Sequence, residues 1–329
     1  MANDPKYIPF SSKAVLSGGI TQTLQSHFLN FVRPRESRHL FVDLEDGDKL
    51  ILEVDGMNLP NTAPILLLFH GLGGCSRSPY LLSIADAAAK EGIRTIRFNH
   101  RGCGPYGWSY AKNVYHSGRI TDLLAAIKKV TEEFENTKIL LCGFSLSANM
   151  LLNLLASESE YFKSNKNLLA SLCVSPPIDL EKSSLKMSKG ANRIFSYYFG
   201  RKLIGELKKL EKTHSLKILQ SKKKTISLRE FDRVYTAPLA EQKSRDEYYS
   251  NFSSIQKLAN IRLSTTILYA KDDPIIDTTS FEKLGKLSSV KIEGYPTGGH
   301  MGFIHKTFIP NFGKRWMDYR IIEWVKSHI

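Results

Sequence analysis

The run KILLCGFSLSANMLLNLLA, residues 138–156, reads as a strand, a tight turn and a helix, with Ser145 at the turn and Gly143 two residues before it. That spacing matches most of the nucleophile elbow G-x-S-x-G, in which a sharp turn lifts a serine hydroxyl above a sheet and the helix N-terminus stabilises developing negative charge. The last glycine is replaced by Ser147, at a position that must be small because strand and helix approach closely. An ordinary strand-to-helix turn with a capping serine has the same local pattern. A second element is HGLGG, residues 70–74, directly after the apolar run 65–69. A turn of this kind lets a backbone N–H, that of Leu72, face an oxyanion beside the N–H of Leu146, which leaves His70 a structural role. A glycine-rich turn after a strand also suits a phosphate.

A serine is a poor nucleophile until a histidine takes its proton, and that histidine needs a carboxylate to fix its tautomer and stabilise the imidazolium. His300 lies in GGHMGF, residues 298–303, after the strand-like run 290–295. His305, His116 and His100 compete for the role, but none follows a late strand in this way. The acid is expected in AKDDPII after the run 265–270: Asp273 is the choice, Asp272 the close alternative and Asp179 a more distant one.

The surrounding elements suit such a site. Residues 38–54 form two strand-like runs around Asp46-Gly47, as a hairpin does. Strand-like runs at 65–69, 93–98, 139–142, 170–174, 265–270 and 290–295 alternate with helix-prone segments at 83–91, 121–134, 151–156 and 316–325. Strands that are apolar throughout and alternate with helices predict a mostly parallel sheet covered on both faces. The alternation stops between residues 182 and 230, where 14 Lys or Arg face three acids, about +11 of the net +14. The simplest architecture is one α/β domain over residues 1–329, interrupted by a helical insertion at 181–258.

The segments HGLGG, NHRGCG (99–104), YHSG with TDL (115–123), GFSLSAN (143–149), SPPIDL (175–180), FDRVYTAPL (231–239), DEYY (246–249), AKDDP (270–274) and GGHMGF together cover most of the chain beyond about residue 60. In combination they resemble the YheT-like branch of the α/β-hydrolases, related to eukaryotic α/β-hydrolase-domain membrane esterases. The resemblance implies a Ser145, Asp273, His300 triad and carboxylic ester hydrolysis. The sequence departs from the family at Ser147, which replaces the elbow glycine, and the membrane anchor of the eukaryotic relatives is not expected.

Other readings are weighed against this one. GCGPYG, residues 102–107, satisfies GxGxxG after a strand, but Pro105 and the Gly-Trp-Ser continuation are not expected to begin the helix a dinucleotide fold needs. There is no GxxxxGK[ST], and the four cysteines, Cys75, Cys103, Cys142 and Cys173, form no CxxC pair, so no metal site and no cofactor is expected. The 42% hydrophobic and 24% charged composition is that of a globular protein, and with no apolar run of membrane-spanning length near the N-terminus a soluble cytoplasmic protein is expected.

In residues 193–210, Ile194, Tyr197, Tyr198, Leu203, Ile204, Leu207 and Leu210 are spaced for one apolar helix face, with Arg201, Lys202, Lys208 and Lys209 elsewhere. The insertion is expected to form a lid above Ser145 that admits an acyl chain and makes peripheral contact with an anionic membrane. The bland alternative is a covered pocket with solvated lysines. Lys222, Lys223 and Lys224 have no recognition motif beside them, so no nucleic acid is expected. The expected substrate is a small-molecule or lipid-like carboxylic ester with a short to medium acyl chain. An acyltransferase using the same triad and a non-catalytic, hydrolase-shaped binding protein are the alternatives.

Overall fold

Strands apolar on both sides need a layer of helices on each face, because nothing else removes both rows of side chains from water. A computed structural model describes residues 7–12, 18–28, 36–219 and 226–329. Lys222, Lys223 and Lys224 lie outside the described residues. Helix α1 (Gly19–Phe28) precedes the hairpin β1 (Arg38–Asp43) and β2 (Lys49–Val54). Then come β3 (Ile65–Phe69), α2 (Pro79–Lys90), β4 (Arg94–Phe98), α3 (Gly107–Tyr110), α4 (Ile120–Glu133), β5 (Ile139–Phe144), α5 (Leu146–Ser157), α6 (Ser159–Ser164) and β6 (Leu168–Val174). Between β6 and the next strand lie α7 (Leu180–Met187), α8 (Arg193–His214), α9 (Leu228–Phe231), a π-helical turn (Asp232–Thr236), α10 (Ala237–Leu239) and α11 (Arg245–Phe252). The chain closes with β7 (Thr265–Ala270), α12 (Thr279–Glu282), β8 (Val290–Tyr295), β9 (Ile304–Ile309), β10 (Gly313–Arg315) and α13 (Trp316–Lys326).

Eight strands form one sheet in the order β1-β2-β4-β3-β5-β6-β7-β8, antiparallel at β1/β2 and β2/β4 and parallel throughout the rest. Along β3, Ile65, Leu67 and Phe69 join a core with α4 and α5, while Leu66 and Leu68 join a second core with α2 and α13. Each of these apolar side chains contributes roughly 1.5–3 kcal/mol by burial. β9 and β10 form a separate two-stranded ribbon after the last strand of the sheet.

Two expectations need correction. A helix does begin at Gly107, but α3 is a single turn. It folds back on the glycine loop, where a Cβ at Gly107 would lie 2.7 Å from the carbonyl carbon of Gly102. So short a turn adds no aligned dipole for a dinucleotide. The apolar stripe of α8 is also narrower than its spacing suggests. Leu203, Ile204, Leu207 and Leu210 are buried, but Ile194 is 62% exposed, Tyr197 41% and Tyr198 46%. Phe195 and Ser196 take the inner face at the start of α8, where the Ser196 hydroxyl accepts the Leu228 N–H at 3.0 Å, so the helix is rotated against α9.

Candidate active site

The parallel strands end on a common edge, and the loops after β3, β5, β7 and β8 meet there. Ser145 sits between β5 and α5 with φ +51° and ψ −120°, a left-handed conformation that a non-glycine residue keeps only when its surroundings impose it. The imposition comes from both neighbours. Ser145 N–H donates to the Val174 carbonyl at 2.9 Å, and a Cβ at Gly71 would lie 3.0 Å from the Ser145 Cβ, so the loop after β3 can come this close only with glycine at 71.

The Ser145 hydroxyl lies 2.9 Å from His300 Nε2, and His300 Nδ1 lies 2.8 Å from Asp273 Oδ2. Asp273 is fully buried, and its other oxygen accepts the N–H groups of Ile275 (2.7 Å) and Ile276 (3.1 Å). Two backbone donors and an imidazole stabilise this carboxylate where water cannot. Asp272, the next residue, turns the other way and accepts the Gly299 N–H at 2.9 Å. Burial pushes its carboxyl above the usual range, and the adjacent Asp273 charge adds to that. Asp179 instead caps α7 by accepting the Lys182 N–H. Of the competing histidines, His305 contacts Pro9 and Thr307, and His116 lines the cavity but accepts the Gly118 N–H; among the described residues neither is hydrogen-bonded to Ser145.

The turn after β3 holds three consecutive N–H groups. Gly71 donates to the Tyr80 hydroxyl (2.9 Å) and Gly73 to the Tyr115 hydroxyl (2.7 Å), while the Leu72 N–H between them has no acceptor among the described residues. Leu146 opens α5, so its N–H belongs to the first turn, where helix donors lack intrahelical partners. Tyr80 and Tyr115 were not marked by any motif as supports, because their effect depends on contacts 9 and 42 residues away in sequence.

Ser147 is fully buried, and its hydroxyl donates to the His70 carbonyl. It therefore accepts from His100 Nε2 at 2.6 Å, which puts the His100 proton on that nitrogen. His70 Nε2 in turn accepts the His100 backbone N–H, and His70 Nδ1 faces the Gly71 carbonyl at 2.8 Å. Burial holds the His70 imidazole down to about 4 and that of His100 well below its ordinary value, so both are neutral. The serine that replaces the family glycine thus ties α5 to the turn carrying Leu72. Ser147→Gly is expected to lower stability by about 2 kcal/mol, because it leaves a buried imidazole N–H unpaired and adds backbone entropy in a helix. Urea denaturation reads this; an unchanged or raised midpoint contradicts it.

Ser145 opens into a cavity lined largely by apolar side chains, among them Leu72, Leu146, Met187, Leu203, Leu207 and Phe231. The polar wall is mostly spoken for. Arg101 makes paired hydrogen bonds to Asp122 (2.7 and 2.9 Å) and also binds Asp46 and Asp48, so its charge is neutralised within the protein. Tyr249 donates to Asp232 at 2.7 Å, and burial lifts that carboxyl to about 6. Glu206, on α8, is lifted by burial to about 7. Among the described residues no group of three or more His, Cys, Asp or Glu is arranged to hold a metal ion. A hydroxyl paired with an imidazole that is itself paired with a buried carboxylate, beside two N–H groups with no acceptor among the described residues, can carry out nucleophilic acyl transfer.

Residues 64–307 match the family model described as the alpha/beta hydrolase fold. The chain is 30% identical to YheT of Escherichia coli (strain K12) over 88% of its own length and 84% of that protein's. It is likewise 30% identical to a protein of Saccharomyces cerevisiae named monoacylglycerol lipase, over 82% of this chain but 60% of the yeast protein. Among solved structures, the esterase Pf2001 of Pyrococcus furiosus superposes with a TM-score of 0.55 over 99% of both chains at 16% identity, a likeness of fold. By the family match and by its identity to YheT, the chain belongs to the α/β-hydrolase family.

Proposed function

We propose that the protein is a serine hydrolase of carboxylic esters, working through an acyl-enzyme on Ser145. The observation that carries this reading is His300, bridging Ser145 and a fully buried Asp273 at the edge of an apolar cavity. His300 takes the hydroxyl proton as Ser145 attacks the ester carbonyl, Asp273 holds the imidazole with its proton on Nδ1, and the N–H groups of Leu72 and Leu146 face the oxyanion. His300 then protonates the leaving alcohol, and water attacks the acyl-enzyme by the same route. The apolar lining suits a short to medium acyl chain, and relatives named for lipase and esterase activity support an ester as substrate. A panel of p-nitrophenyl esters of rising chain length tests the reading. Turnover of chains up to about eight carbons is the expected result, and no turnover of any chain would contradict it.

Residues 181–258 serve, in this proposal, as a lid. α8 closes one side of the cavity with Leu203 and Leu207 and reaches the turn after β3, where Lys202 Nζ donates to the Gly73 carbonyl at 2.5 Å. Its outer face carries Ile194, Tyr197 and Tyr198 beside the exposed cations Arg193, Arg201, Lys208, Lys209 and Lys212. Exposed apolar and aromatic groups among cations suit the interface of an anionic bilayer. Sedimentation is expected to recover the protein with vesicles containing phosphatidylserine and not with neutral phosphatidylcholine vesicles. Equal recovery with both, or with neither, contradicts this contact. No helix among the described residues is long and apolar enough to cross a membrane.

A further inference from the structure

The loop that carries His300 is held from outside by a helix near the start of the chain. Gly298, Gly299, Met301 and Phe303 all have positive φ, at 142°, 60°, 59° and 44°. A loop with so many left-handed residues is not set by local preference and keeps one shape only if its surroundings determine it. Part of that determination comes from its own side of the fold, where Asp272 accepts the Gly299 N–H and the Phe303 N–H donates to the Gly298 carbonyl. The rest comes from α1. The Thr23 hydroxyl accepts the His300 N–H at 2.8 Å and donates to the Gly19 carbonyl at 2.7 Å. Gln22 is fully buried, and its amide pairs with both backbone groups of Ile304, accepting the N–H at 2.7 Å and donating to the carbonyl at 3.4 Å.

The two backbones touch. A Cβ at Gly299 would lie 2.3 Å from the Gly19 carbonyl oxygen, and one at Gly302 would lie 2.5 Å from that of Gln22. The glycines on either side of His300 therefore form a bed for α1. None of residues 18–25 lines the cavity, and α1 lies outside the segment 64–307 matched by the family model. The side-chain bonds of Thr23 and Gln22 reach the main chain of the histidine loop at His300 and of Ile304 just after it.

We infer that α1 is a positioning strap for His300, with Thr23 and Gln22 as the positioning residues that keep its imidazole aligned between Asp273 and Ser145. The inference rests on the triad reading above. Proton transfer is sensitive to such alignment: an error of about 1 Å in a reacting group can cost on the order of 10²-fold in rate. Because α1 stands clear of the cavity, loosening it affects the steps in which His300 moves a proton and leaves substrate binding alone.

Thr23→Val keeps the shape of the side chain and removes the acceptor of the His300 N–H, while Thr23→Ser keeps the acceptor. Gln22→Met keeps the volume and removes both bonds to Ile304. In the full-length protein, kcat and KM for a soluble p-nitrophenyl ester are measured together with the rate of Ser145 labelling by a fluorophosphonate between pH 5 and 9. Thr23→Val and Gln22→Met are expected to lower kcat and the labelling rate by about tenfold and to shift the midpoint of the labelling profile. KM stays unchanged, and Thr23→Ser remains within about twofold of the wild type.

Wild-type rates and profile in both Thr23→Val and Gln22→Met overturn the inference, whatever happens to their melting temperatures. So does an equal loss in Thr23→Ser and Thr23→Val. A wild-type protein that is not labelled at Ser145 overturns the triad reading itself, and the inference with it; labelling of the wild type with unaffected variants overturns the strap alone.

Discussion

Ser145→Ala is expected to lower ester turnover by at least about 10⁴-fold while leaving the folded protein intact. The magnitude follows from the nucleophile's place in the pathway, since without it no acyl-enzyme forms and only binding and oxyanion stabilisation remain. The intact fold follows from the local structure. The left-handed conformation of Ser145 is held by the Val174 carbonyl and the close turn at Gly71, neither of which needs the hydroxyl. Alanine meets much the same backbone strain as serine, so the urea midpoint should move by less than about 1 kcal/mol in stability. Turnover of the variant within tenfold of wild type contradicts the assignment.

Asp273→Asn is expected to cost about 10⁴-fold in kcat, by a mechanism visible in its contacts. Oδ1 accepts two backbone N–H groups, from Ile275 and Ile276, so an asparagine must turn its carbonyl oxygen to them. Its NH₂ group then faces His300 Nδ1. That nitrogen must give up its proton, which moves to Nε2, where the imidazole can no longer accept the Ser145 proton. Asp272→Asn is the internal contrast, because Asp272 accepts the Gly299 N–H and does not meet the imidazole. Its expected loss is below about tenfold. Steady-state kinetics of the two variants side by side read the difference, and equal losses would assign the orienting role to neither residue alone.

Much of this arrangement was readable from residue types. The runs Ile65–Phe69 and Thr265–Ala270 are strands with those bounds and buried throughout, because a parallel strand covered on both faces has little choice of composition; Val290–Tyr295 is also a strand with the expected bounds, but as the sheet's edge it keeps Lys291 and Gly294 exposed. Ser145, Asp273 and His300 follow β5, β7 and β8 of one sheet, and the parallel topology brings their loops to a common edge. The sequence favoured Asp273 with Asp272 as the close alternative, since adjacent residues share nearly the same spacing from every other element; the turn of the backbone sets which carboxylate meets the imidazole.

What escaped the sequence has a common cause in long-range contact. α1 is polar in composition, GITQTLQSHF, and its Gln22 bonds to Ile304, 282 residues away. The outward turn of Ile194, Tyr197 and Tyr198 is set by packing at Ser196 against Leu228, which no helical periodicity encodes. Ser147 looked like a departure from a required glycine. Its hydroxyl instead joins the His70 carbonyl to the His100 imidazole, an adaptation that depends on a histidine 47 residues earlier.

The central claim, an activated serine at 145, is tested most directly by intact-mass spectrometry after exposure to a fluorophosphonate, followed by mapping of the modified peptide. A single adduct on Ser145 of the native protein, absent from Ser145→Ala and from heat-denatured protein, is the predicted result. No adduct on the native protein, or one that persists in Ser145→Ala, would contradict it.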